Sequence, residues 1–156
     1  MTLLRAVPAT VRATLIVIGI SPFLPRLLGD VPLLGVIGRL FGAWFAFQCH
    51  RDAARTLVLL GEPMSVCVRC LGIYLGLGLG ALVLHPRLSV WPLRLWVGSA
   101  ALAMVLDVVT EGLELRPDLW IVRLLTGLAL AYPVGSAIVW ALRDLGPQTA
   151  ATSRGP

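Results

Sequence analysis

From Leu124 to Leu142 the chain runs nineteen residues without a charge, bracketed by Arg123 and Arg143. At 1.5 Å per residue such a helix is about 28 Å long, close to the thickness of a bilayer's hydrocarbon core. Two further apolar runs, each with a charge near an end, are also candidate spans. A second extends from about Cys67 to Leu84, and a third from about Leu93 to Thr110. Of the 156 residues 58% are apolar and 13% charged, and the mean hydropathy is +0.89. A chain with so few charges cannot cover itself with polar groups in water. The reading is an all-α, polytopic integral membrane protein whose one partner fixed by composition is the lipid bilayer.

The N-terminal third predicts two further helices, for a total of about five (four to five). Ala13–Pro25 is short for a span, and Val31–Cys49 carries Arg39 near its middle. An arginine at that depth costs roughly 2.5–3.5 kcal/mol on insertion scales unless it is paired or reaches the boundary. Arg5 and Arg12 precede the first apolar stretch in the manner of a signal peptide. Pro22, Pro25 and the absence of a small-residue cleavage site favour a retained helix instead. Residues 1–145 are read as a single membrane domain and 146–156 as a disordered tail.

The net charge is +5, from thirteen arginines and no lysine. The arginines are scattered between apolar runs rather than clustered, which argues against nucleic acid and for anchoring at the membrane edge. Gly72, Gly76 and Gly80 recur every four residues, as do Gly35, Gly38, Gly42 and Ala46. Small residues at that spacing let membrane helices approach closely, within one chain or between copies in a homo-oligomer. Packing explains the GLGLG stretch better than a phosphate loop does, since no strand precedes it.

Alternation of five helices brings two loops to one face. One holds Cys49, His50, Arg51, Arg55, Glu62, Cys67, Arg69 and Cys70. The other holds Asp107, Thr110, Glu111, Glu114, Arg116 and Arg123. On this count the N-terminus shares the site face. Seven arginines then stand there against five opposite, which places the face in the cytoplasm by the positive-inside rule. His85, before Pro86 on the plainer face, reads as a turn residue. Asp107, Glu111 and Glu114 lie at i, i+4 and i+7, one helix stripe, and Asp107 is placed to pair with Arg123. That stripe is the one feature that suggests a transporter or channel subunit.

All three cysteines of the chain and His50 fall at the mouth of an apolar helix. Three chemistries fit. Cys67 and Cys70 form a C-x-x-C that, with Cys49 and His50, supplies a Cys₃His set suited to a transition metal, zinc above all. Adjacent residues on a helix point about 100° apart. The second helix must therefore end at Cys49 if both Cys49 and His50 are to serve. Alternatively, a C-x-x-C at a helix N-terminus favours the thiolate, with Arg69 acting in the same sense. This would suit a thiol–disulfide oxidoreductase linked to quinone, although that relay ordinarily uses a second cysteine pair. Finally, free cysteines are common in apolar interiors without any role.

The stretch "CHR" at Cys49–Arg51, with Arg55 following and "VCVRCLGIYLG" at Val66–Gly76, resembles the domain of unknown function 2085 family of small prokaryotic membrane proteins. Asp107, Arg116, Arg123, Thr126 and Gly127 are similar to a second part of that family's pattern, and Leu71 departs from it where threonine is expected. The resemblance covers roughly residues 35–135. It implies a helical membrane fold in which Cys49, His50, Cys67 and Cys70 act together, and it carries no activity.

Overall fold

The computed structural model describes residues 2–29, 31–32, 34–49, 52, 55–83, 89–115, 117 and 119–152, with side chains within 9–143. In chain order the elements are α1 (Thr2–Ile20), a 3₁₀ turn (Ser21–Phe23), α2 (Leu24–Leu28) and α3 (Gly35–Gln48). A small hairpin of β1 (Val58–Leu59) and β2 (Glu62–Pro63) follows, then α4 (Val68–Leu82), α5 (Val90–Gly112) and α6 (Trp120–Thr152). Three stretches are long and apolar enough to cross a membrane: Ala9–Leu28, Val90–Gly112 and Trp120–Arg143. The fifteen residues of α4 reach only about 22 Å.

The short helix is the centre of the bundle. Glycine leaves a groove along α4, and α6 lies in it, running in the same direction. Gly72 faces the Leu124 carbonyl, Gly76 that of Leu128, and Gly80 that of Tyr132. The contact is reciprocal, since Gly127 of α6 faces the Arg69 carbonyl and Gly135 that of Leu77. A Cβ at Gly76 would stand 2.7 Å from the Leu128 oxygen, inside any tolerable contact. In lipid, apolar surface alone gives helices no reason to associate, so backbone proximity of this kind supplies the van der Waals and Cα–H···O attraction instead. The glycine repeat is thus used within the chain.

On the other side of α4, α1 packs antiparallel to it. Gly19 meets Gly78, and the Arg12 Nη2 donates to the Leu82 carbonyl at 2.8 Å. Helix α5 lies against α6, also antiparallel: Trp96 Nε1 donates to the Ala129 carbonyl at 3.1 Å, while Glu111 meets Arg123 at the opposite end. The outward face of α5 is apolar and open, with Trp91 at 76% exposure and Leu95, Leu102 and Val105 beyond it. Such a surface is stable against acyl chains rather than water.

The second expected span, Val31–Cys49, takes a different form. Only fourteen of its residues, α3, are helical, about 21 Å. The helix starts beside the end of α2, where Gly35 and Gly38 pack on Gly29 and Pro25. It finishes at Cys49, beside Cys67. Arg26 of α2 donates to the Leu59 and Leu60 carbonyls of the hairpin that precedes α4. Both ends of α3 therefore lie at the N-terminal end of α4, and α3 flanks the bundle without crossing it. Trp44 and Phe47, the latter 90% exposed, point outward from it as boundary aromatics do. Arg39 is exposed on the same helix, so the cost of burying it never arises.

This corrects the placement of the N-terminus. With α3 removed from the alternation, α1 runs from the far end of the bundle to the cysteine end, and the N-terminal half of α1 stands opposite the site. The hairpin was not foreseen either. Its turn holds Leu60 and Gly61 at φ 53° and 81°, a pair of left-handed residues suited to the twist of a two-residue turn. His85 lies outside the described residues, and α6 continues to Thr152 across part of the segment expected as a tail.

Two outcomes follow. Gly76→Leu forces α4 from α6 and costs at least the roughly 1–3 kcal/mol of an overpacked core. The melting temperature in detergent falls by several degrees, whereas Gly98→Ala, which meets nothing within 4 Å, leaves it unchanged or raises it. Leu60→Asn removes most of a left-handed penalty of about 1–2 kcal/mol and stabilises the protein in the same assay.

Candidate metal centre

Each cysteine is aimed by a helix end. Helix α3 stops at Gln48, and Cys49 follows in extended conformation, φ −134° and ψ 132°, its N–H still donating to the Phe45 carbonyl. The backbone thus loosens at the point where a ligand at Cys49 requires it. The stop is pinned by packing: Phe45 is buried against the edge of Tyr74, with ring centroids 5.4 Å apart. The Tyr74 hydroxyl also donates to the Gln48 side chain. Opposite, Cys67 caps α4 in extended conformation, and Cys70 sits in its first turn. Met64 and Val66, arriving from the hairpin, are buried against Leu71 and close the floor.

The three sulfurs lie within 4.8 Å of one another. None is in a disulfide. The Cys67 N–H donates to the Cys49 sulfur at 3.2 Å. Tetrahedral zinc with Zn–S bonds of about 2.3 Å holds its sulfurs about 3.8 Å apart, so the trio is close to a ligand arrangement. The Cys67 thiol is held well below its ordinary pKa. The largest cause is the hydrogen bond from the Cys70 thiol. The Cys70 N–H, the Cys49 thiol and the Arg69 N–H add to it, against burial, which acts in the opposite sense.

Arg69 contributes to the sulfur site through its backbone, while its guanidinium turns to α5. Its Nη2 lies 2.5 Å from Asp107 Oδ2 and 3.6 Å from Glu111 Oε2. Glu111 takes Arg123 on both oxygens, from Nε at 2.8 Å and Nη2 at 2.5 Å. Arg55, from the loop after α3, reaches Glu111 Oε1 at 3.2 Å and Asp52 at 3.5 Å. The side chains of Asp107 and Arg123 are 2% and 4% exposed, so leaving either without a partner would cost several kcal/mol. Asp107 and Arg123, which the sequence pointed to as a pair, both belong to this network, Asp107 through Arg69 and Arg123 through Glu111.

The carboxylate stripe ends early. Helix α5 stops at Gly112, and Glu114 follows at φ 54° as a left-handed terminator, exposed. Asp107 and Glu111 share one network with the arginines, and Glu114 stands apart from it. His50, Arg51 and Arg116 lie outside the described residues. Among positions that sequence reasoning left without a role, Tyr74 and Gln48 fix the end of α3, and Arg26 clamps the hairpin. Tyr74 did stand inside the C-x-R-C-x-G-x-Y run, the one signal that marked it.

Two separated stretches meet at Arg69. Gly127 of α6 lies against its carbonyl, and Thr126 Oγ1 donates to the carbonyl of Arg123. The cysteine run and the Arg-x-x-Thr-Gly run are thus parts of one piece of packing. A family model described as a predicted membrane protein, domain of unknown function 2085, matches residues 49–137. An uncharacterized protein of Methanocaldococcus jannaschii is 28% identical over 97 residues, which is 59% of this chain and 62% of that protein's length. No solved structure matches. With more than half of its length matched, and the matched part holding α4 and the stretch of α6 that packs on it, the chain belongs to the domain of unknown function 2085 family of membrane proteins.

Proposed function

We propose that the protein binds one transition metal ion, zinc by the chemistry of the donors, through Cys49, Cys67 and Cys70. The observation that carries this reading is the convergence of three thiols from two separate elements to within 4.8 Å. The Cys67 N–H reaches the Cys49 sulfur, and the Cys70 and Arg69 N–H groups favour the Cys67 thiolate. Thiolate donors select zinc and other soft divalent ions over magnesium or calcium. His50, next in the chain after Cys49, is the proposed fourth ligand, and Arg51 and Arg116 the proposed flanking cations. Bound metal would supply a structural clasp at the membrane boundary or a Lewis-acidic centre; the chain's own contribution is to hold the three sulfurs together and to favour the Cys67 thiolate.

A second reading rests on Cys67 at the helix cap, with Cys70 three residues on. As a disulfide this pair would take two electrons and two protons from a substrate dithiol and pass them to a quinone. Cys49 is what separates the two readings, because a dithiol couple has no use for a third sulfur against the Cys67 N–H.

Elemental analysis of protein purified from membranes without chelator decides between them. About one metal per chain is expected for a single closed thiolate site, lost in Cys49→Ser, Cys67→Ser and Cys70→Ser alike. Metal-free wild type whose melting temperature ignores chelator, together with a reversible Cys67–Cys70 disulfide trapped in fresh membranes, overturns the metal reading in favour of redox chemistry. A pH titration checks the electrostatics. An ordinary thiol with pKa near 8.5 slows about tenfold in alkylation per pH unit below it. In metal-free protein Cys67, its pKa depressed in the folded state, keeps its rate from pH 8.5 to 6.5. The stability tied to its charge is complete above the ordinary thiol range. It is lost as pH falls through the depressed value.

A further inference from the structure

The helix directions separate the charges of the molecule. At the cysteine end, from α2 through the hairpin and from the end of α5 to the start of α6, chain order places seven arginines and seven carboxylates. Of those described there, Arg55, Arg69 and Arg123 meet carboxylates, Arg26 meets hairpin carbonyls, and Arg39 is exposed. At the far end lie Arg12, Arg94 and Arg143, with Arg5, Arg87 and Arg154 by chain order, and a single carboxylate, Asp144. The entire +5 of the chain belongs to that end. Arg94 is exposed, and Arg143 is exposed and stands with its guanidinium 5.4 Å from the centroid of the Trp140 ring. An arginine beside a boundary tryptophan sits where headgroups meet water. An arginine count alone, seven against six, would not orient the chain. At the cysteine end carboxylates balance the arginines one for one, whereas the far set has one carboxylate against six arginines.

We propose that the far end is a surface for anionic phospholipid headgroups, and that it holds the chain with that end in the cytoplasm and the cysteine centre on the outer side. The cytoplasmic leaflet is the anionic one, and arginines near it are drawn to its headgroups. This reverses the side expected when the N-terminus was counted with the site. It rests on the direction of α1 and on charge, and does not depend on what the cysteines bind.

Two measurements test it on the full chain. A fluorescent protein fused after Pro156 should fluoresce in cells, and alkaline phosphatase fused at the same place should be inactive. The reverse pattern overturns the orientation. In neutral detergent, phosphatidylglycerol should raise the melting temperature where phosphatidylcholine does not. The difference should shrink in high salt and in an Arg94→Glu/Arg143→Glu variant, and survive in Arg39→Glu. An equal response to both lipids, or a response untouched by the double variant, overturns the headgroup surface.

Discussion

The contact between α4 and α6 is the constraint on which the remainder is built. Two parallel helices touch backbone to backbone because glycine recurs at matched levels on both, Gly72, Gly76 and Gly80 on one and Gly127 and Gly135 on the other. Everything at the cysteine end is referred to this pair. The carbonyl of Arg69 rests on Gly127, which fixes the first turn of α4 and hence the positions of Cys67 and Cys70. Leu124, one turn earlier on α6, faces Gly72, so Arg123 is set beside α4 at the level where Glu111 of α5 arrives. A fifteen-residue helix with so little side-chain volume would not hold its place in lipid without that seat.

The ion network does a related task across a gap. Helix α5 leans on α6 and shows most of its surface to lipid, so apolar packing gives it little reason to stay in register with α4. Arg69 to Asp107 provides that register. Two carboxylates and three arginines are joined in one network at the membrane boundary, with the buried Arg69 Nε the one atom of it left without a hydrogen-bond partner among the described residues. The geometry is strict because an unpaired member would be costly. The same residue whose N–H favours the Cys67 thiolate is therefore the one that anchors α5.

Much of this could be read from residues alone. The charge-free run from Leu124 to Leu142 gave α6, the glycine spacing gave the packing face of α4, and the C-x-x-C gave two of the three sulfurs. What escaped the sequence has physical causes. Val31–Cys49 is long enough to span, and only contacts with Pro25 and Gly29 reveal that half of a hairpin, not a crossing, is being built. That single difference moved the N-terminal half of α1 to the other side of the molecule. That Arg69 also meets Asp107 was out of reach, since helix rotation decides which arginines near that boundary face α5. The stripe through Glu114 assumed a helix that continues, and a left-handed residue is invisible in spacing.

Cys49 reaches the centre from a helix that flanks the bundle, whereas Cys67 and Cys70 belong to the bundle itself. An ion shared among them, as proposed, would be a cross-link. It would close a circuit of eighteen residues, comparable to one that a disulfide stabilises by about 3 kcal/mol through lost freedom of the unfolded chain. Release of the ion would first free α3 and the hairpin, while the glycine-seated pair beneath stayed assembled. The molecule would then separate into a rigid keel and a detachable cover.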